Sequence, residues 1–146
     1  DYVDQSLDGA IGETVRSADG FVLRINNIER NYTTDDPAYT LKEGKELVKV
    51  NFDMGNATKT FTRDWKWNVP FSVIDSTEAT LMPETVASYD GKFDVVHMEP
   101  GSQSSGSLIF AVNKDEKPLK FVRKQQYTVK NLNKTVTFET VITLTK

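Results

Sequence analysis

The chain has 146 residues, 27% of them charged and 38% hydrophobic, with a formal net charge of −3. That length and balance suit one soluble globular domain with its own core, and the acidic excess argues against nucleic acid, whose phosphates need a basic face. The lack of cysteine excludes disulfides, zinc–thiolate sites and cysteine nucleophiles, and no run approaches the roughly 20 apolar residues of a membrane-spanning helix.

Residues 1–9 lack periodicity and are expected to form a linker or frayed end, leaving 10–146 as a single domain. Ile11 to Val15 reads as a short strand. Asp19-Gly20 is a turn pair before Phe21, Leu23 and Ile25, which share one face. After the polar loop Asn31 to Gly44, Val48, Val50, Phe52 and Met54 alternate with Lys49, Asn51 and Asp53, the mark of a half-buried strand. Phe61, Trp65, Trp67, Val69, Phe71 and Val73 share parity, and Pro70, which cannot donate to a ladder, marks an edge or break among them.

A short element is predicted at Ala79 to Met82, one helical turn within 83–90, and another element over Phe93 to Met98. Pro100-Gly101 forces a turn ahead of Leu108, Phe110 and Val112, which again share a face. Lys114 to Pro118 is a charged turn before a strand over Leu119 to Val129. Asn131 to Lys134 then leads into a last strand carrying Val136, Phe138, Ile142 and Leu144. No apolar period near 3.6 persists anywhere. The pattern predicts an all-β chain, with two packed antiparallel sheets of about 7–9 strands.

Six pieces carry a family resemblance: Ile11-Gly12-Glu13-Thr14-Val15, Val48 to Asn56, Phe71 to Asp75, Pro100-Gly101, Gly106 to Val112, and Leu119-Lys120-Phe121. Their order resembles a family of bacterial domains of unknown function found in exported proteins and lipoproteins. Those domains have an immunoglobulin-like sandwich related to a secreted mycobacterial immunogenic protein. The likeness spans residues 11 to 124, and the chain departs from it by continuing through a hairpin over 125–146. The resemblance implies an immunoglobulin-like β-sandwich and an extracellular or cell-surface setting, with room for a leader or lipid anchor ahead of Asp1. It carries no active site across.

The residues themselves point to binding or structure, with no catalytic set. His97 is the only histidine, so any triad would need it, and its position on an expected strand fits a surface or structural role. No phosphate loop or nucleophile elbow occurs, and no cofactor is implied. Asp35-Asp36 and Asp115-Glu116 each place two acids in a loop without the spacing that wraps calcium, so no metal is expected. Lys114, Lys117, Lys120, Arg123 and Lys124 read as a solvated edge, where lysines block aggregation. Three Asn-x-Thr triplets, at Asn31, Asn56 and Asn133, read as turn residues.

Arg63-Asp64-Trp65-Lys66-Trp67 is the most suggestive stretch. Two tryptophans on one strand face either fill the core, the favoured reading, or form a platform for sugar rings or peptides. The expected function is therefore a non-catalytic extracellular domain, a protein-interaction or structural module of a bacterial exported protein or lipoprotein, with a sheet face or edge strand as the surface for a protein partner. The alternative is a carbohydrate or cell-wall binding module using Trp65 and Trp67, with Arg63 beside them.

Overall fold

The computed structural model describes residues 3–59, 63–65, 71–94 and 96–145, with the backbone alone at 63–65 and 96. Its strands are β1 (Gln5–Ala10), β2 (Thr14–Arg16), β3 (Phe21–Glu29), β4 (Lys45–Asn56), β5 (Arg63–Trp65), β6 (Phe71–Ile74), β7 (Thr80–Leu81), β8 (Val96–Met98), β9 (Gln103–Asn113), β10 (Leu119–Val129) and β11 (Lys134–Thr145). They form a five-stranded sheet ordered β1-β11-β10-β6-β7, a four-stranded sheet ordered β2-β3-β4-β9, and a separate β5–β8 ribbon. The two sheets pack as the β-sandwich that the alternation predicts, and among the described residues every ladder is antiparallel except β1–β11.

The core follows from the period of two, because successive side chains of a strand point to opposite faces. Phe21, Leu23 and Ile25 of β3, Val48, Val50, Phe52 and Met54 of β4, and Leu108, Phe110 and Val112 of β9 supply one wall. Phe71, Val73, Leu119, Phe121, Ile142 and Leu144 supply the other. Phe71 sits at the centre, its ring centroid 5.1 Å from Phe52, 5.4 Å from Phe121 and 5.6 Å from Phe93. Gly106 takes an inward position on β9 where no side chain fits: a Cβ there would stand 2.8 Å from Phe93 Cδ1 and 3.3 Å from Phe52 Cζ. Gly106→Val is therefore expected to cost about 1–3 kcal/mol through overpacking, read as a lower urea midpoint at unchanged slope.

Three expectations need correction. Residues 5–9 belong to β1 instead of a frayed end: β1 lies in parallel register on β11 from Gln5↔Phe138 to Ala10↔Thr143. Ladder bonds and side-chain caps hold it, with Gln5 Oε1 accepting from Ala18 N at 2.8 Å and Asp4 Oδ1 from Thr137 N at 2.8 Å. Apolar burial contributes little there, which is why the hydrophobic pattern did not mark the strand.

Residues 83–90 form no helical turn. Glu84 N donates to Ile109 O (2.7 Å), Phe93 N to Ser107 O (2.9 Å) and Ser107 N to Gly91 O (2.8 Å), so the segment 84–93 lies along the outer edge of β9. An edge strand is thereby partly covered. Lastly, β10 is an inner strand between β11 and β6, so the basic cluster is not an edge. Lys114, Lys117, Lys120 and Lys124 are exposed, whereas Arg123 shares the parity of Leu119 and Phe121 and is fully buried.

Candidate functional site

Arg63 and Trp65 lie on β5, opposite Met98 and Val96 of β8. Their side chains, and Trp67 altogether, lie outside the described residues. His97, on β8, is exposed, with Nε2 3.0 Å from Glu99 Oε1. Such a surface contact is worth about 0–1 kcal/mol at most, and matches the surface role read for this histidine.

Buried charge gathers at two other places, and both are committed to structure. At one end of the core the Asp19-Gly20 turn, with Gly20 at φ 89°, carries Asp19 from the β2–β3 hairpin across to the opposite sheet. Arg123 Nη1 and Nη2 donate to the two Asp19 oxygens at 3.2 and 2.6 Å, and Tyr127 Oη donates to Asp19 Oδ2 at 2.7 Å. The guanidinium also lies 4.3 Å from the Phe21 ring centroid, a cation–π contact. Burial alone would raise the Asp19 pKa; hydrogen bonds and charge from Arg123, with the hydroxyls of Tyr127 and Ser17, outweigh it and hold it at about 2. Thr140, opposite Arg123 in register, buries a hydroxyl with no partner among the described residues. Thr140→Val is thus expected to be neutral or stabilising by about 1 kcal/mol in urea unfolding.

Near the ends of β3 and β4, Arg30 Nε donates to buried Glu46 (2.5 Å) and Arg30 Nη1 to the Glu116 carbonyl (2.8 Å). Glu116 Oε2 accepts from Ser76 N (2.9 Å) and the Ser76 hydroxyl, while its Oε1 accepts from Asn113 N (3.2 Å). Of the Asp115-Glu116 pair, Glu116 therefore fixes loops. Asp36 does the same, taking Ala38 N (2.9 Å) and Ala87 N (2.8 Å), whose bonds lower its pKa.

The outer face of the four-stranded sheet is different. Residues that alternate with the core, Asn51 and Asp53 of β4 and Ser105 and Ser107 of β9, form a polar ladder there. Ser107 Oγ donates to Asn51 Oδ1 (2.5 Å), Asn51 Nδ2 donates to Asn27 Oδ1 (2.6 Å) and Glu29 Oε2 (2.9 Å), and Ser105 Oγ donates to Asp53 Oδ1 (2.6 Å). Each side chain is held by its neighbour, so the face is ordered in advance.

Two loops wall this face at one end, residues 31–44 and 82–92. They are tied to each other by the Asp36–Ala87 bond and by Tyr39 Oη donating to Glu84 Oε1 at 2.9 Å. Tyr32 and Tyr89 meet edge to face with centroids 6.5 Å apart, and Tyr89 Oη donates to Ser107 O at 3.0 Å. Lys49 from β4 rises beneath them, its Nζ 5.1 and 5.8 Å from the two centroids and 3.8 Å from Glu29 Oε2. Between the loops runs an open groove of about 670 Å³, lined by Tyr32, Asp35, Asp36, Ser88, Tyr89 and Asp90 among others. Burial, and then the charges of Glu29, Asp35 and Asp90, raise the Tyr32 pKa; burial, and then Tyr32, raise that of Tyr89.

Sequence reasoning missed this groove because its walls are far apart in the chain and sit in loops with no period. The one available signal was Lys49, a cation set between Val48 and Val50 on a half-buried strand.

Among the described residues no three His, Asp or Glu gather as a metal would need, and no helix is long and apolar enough to cross a membrane. No family model and no curated protein matches the chain. Solved structures do. The ycdA protein of Bacillus subtilis, whose lipoprotein character is itself inferred, is 17% identical with a TM-score of 0.66 over 88% of this chain. This chain spans 38% of that protein's length. The yjhA protein of Bacillus subtilis is 15% identical, TM-score 0.64, over 90% of this chain and 99% of its own. The secreted protein MPT63 of Mycobacterium tuberculosis is 11% identical, TM-score 0.60, over 92% of this chain and 98% of its own. The chain thus has the β-sandwich fold of these bacterial proteins, a secreted protein and an inferred lipoprotein among them, as the family resemblance implies.

Proposed function

We propose that this chain is a non-catalytic, extracellular recognition module of a bacterial exported protein or lipoprotein, binding a protein partner through the outer face of its four-stranded sheet. The observation that carries the reading is the preordered polar ladder Asn27–Asn51–Ser107 ending at the Tyr32–Tyr89 groove. A rigid scaffold that presents ordered polar groups beside aromatic rings recognises a ligand with little loss of side-chain freedom. The buried acids Asp19, Glu46 and Glu116, by contrast, have their oxygens occupied by structural donors. Fold neighbours that are secreted, or inferred to be lipoproteins, support the setting.

The test is site-specific photocrosslinking in cells that carry the native protein. A photoreactive residue at Thr33 or Ser88, beside the groove, is expected to give one discrete adduct with a protein; the same residue at Lys120, on the other sheet, gives none. Adducts from Lys120, or none from either groove position, would overturn the reading. A probe at Glu99, next to the β5–β8 ribbon, separates the alternative, a carbohydrate or cell-wall module on Trp65 and Trp67.

A further inference from the structure

We infer that the Tyr32–Tyr89 groove receives a cationic side chain, lysine or arginine, from a basic segment of the partner protein. The inference rests on the recognition-face reading above and gives that face its chemistry.

Charge complementarity carries it. The groove lining contains Asp35, Asp36 and Asp90 and no basic residue. Asp36 is fully engaged by two backbone amides, but Asp35 and Asp90 have no hydrogen-bond or ion-pair partner among the described residues, and neither does the Tyr32 hydroxyl. Asp35 and Asp90 stand on opposite walls, one on each loop, and line the same groove, so both carboxylates bear on a charge entering it.

Lys49 lies under the rings with Glu29 at 3.8 Å, and Lys92 donates to the carbonyls of Val86 and Ala87 while its charge acts on Asp36. The seat of Lys49 shows how the tyrosine pair handles a cation: its ammonium stacks on both rings at cation–π distance. A second cation entering from solvent meets one uncommitted hydroxyl and two uncommitted carboxylates, which suits a guanidinium or ammonium group. The walls do not need to reorganise, because Asp36–Ala87 and Tyr39–Glu84 already clasp them.

The test is chemical-shift mapping on the full chain with a synthetic hexapeptide of alternating basic residues and glycine, and with its glutamine counterpart. The basic peptide is expected to move the amides of Tyr32, Asp35, Ser88 and Asp90, with an affinity that falls as salt rises. The double variant Asp35→Asn/Asp90→Asn is expected to weaken binding about tenfold or more, the scale of two lost charge contacts. The control Asp8→Asn/Glu78→Gln, which removes the same charge from exposed sites on the other sheet, keeps the affinity within about twofold. Equal binding by the glutamine peptide, equal loss in the control, or no shift at the groove would each overturn the inference. So would groove shifts produced by calcium or by a neutral chito-oligosaccharide without any by the peptide. If groove crosslinks to a protein form while the peptide gives no shift, this inference falls alone; if neither occurs, the recognition face falls with it.

Discussion

Arg123→Met is expected to destabilise the protein by about 3–5 kcal/mol, because it leaves the Asp19 carboxylate buried without its cation. For a chain of this size that is a fall in melting temperature of roughly 6–20 °C. The Asp19 side chain is only 5% exposed and Arg123 fully buried, so solvent cannot take the place of the lost partner. Removing both groups, in Asp19→Ala/Arg123→Met, is expected to cost less than the sum of the single changes, since no charge is left stranded.

The same pair sets the acid response. Asp19 has a folded pKa of about 2, below its ordinary value of 3.8. A depressed carboxylate contributes stability that is full above the unfolded pKa and is lost as pH falls through the folded one. The wild type should therefore lose about 2 kcal/mol from this group between roughly pH 5 and pH 1. In Arg123→Met the sign reverses: burial now raises the Asp19 pKa, so acid relieves the stranded charge and stability recovers from this group as pH falls. Urea unfolding of both proteins across this range checks the two slopes.

Phe71→Ala is the other large effect, about 3–5 kcal/mol. Phe71 comes from β6 in one sheet and touches Phe52 and Phe21 from the other, as well as Phe93 and Phe121. Its loss opens a cavity that strand backbones fixed by ladder bonds cannot close. Phe71→Leu, which keeps most of the volume, should cost much less, about 1.5 kcal/mol. The pair Phe52→Ala/Phe71→Ala should fall short of additivity, because both changes remove the same ring contact. Chemical denaturation with an unchanged slope is the expected signature.

How much of this was legible in the residues follows from what each element depends on. β4, β9, β10 and β11 are long and bury one face, so their period of two marked both their existence and their inward residues. β1 was not legible because parallel ladder bonds and the caps from Gln5 and Asp4 hold it, and backbone hydrogen bonds leave no pattern in side-chain hydropathy. Nothing local in 83–90 shows that its backbone groups bond the edge of β9, and its residues alone suit a helical turn equally well. The charge of Arg123 suggests solvent, although its parity with Leu119 and Phe121 points inward. The groove lay beyond reach for a topological reason: the outer face of β4 brings together two loops that no sequence spacing connects.

The most direct test of the account is the Asp35→Asn/Asp90→Asn variant measured twice, once for unfolding in urea and once for photocrosslinking from Ser88. On the proposed reading stability and recognition reside in different residues, so the unfolding free energy should stay within about 0.5 kcal/mol of wild type while the crosslinked adduct is lost. A variant that unfolds several kcal/mol more easily, or that retains a full adduct, would contradict the assignment of these two carboxylates to recognition.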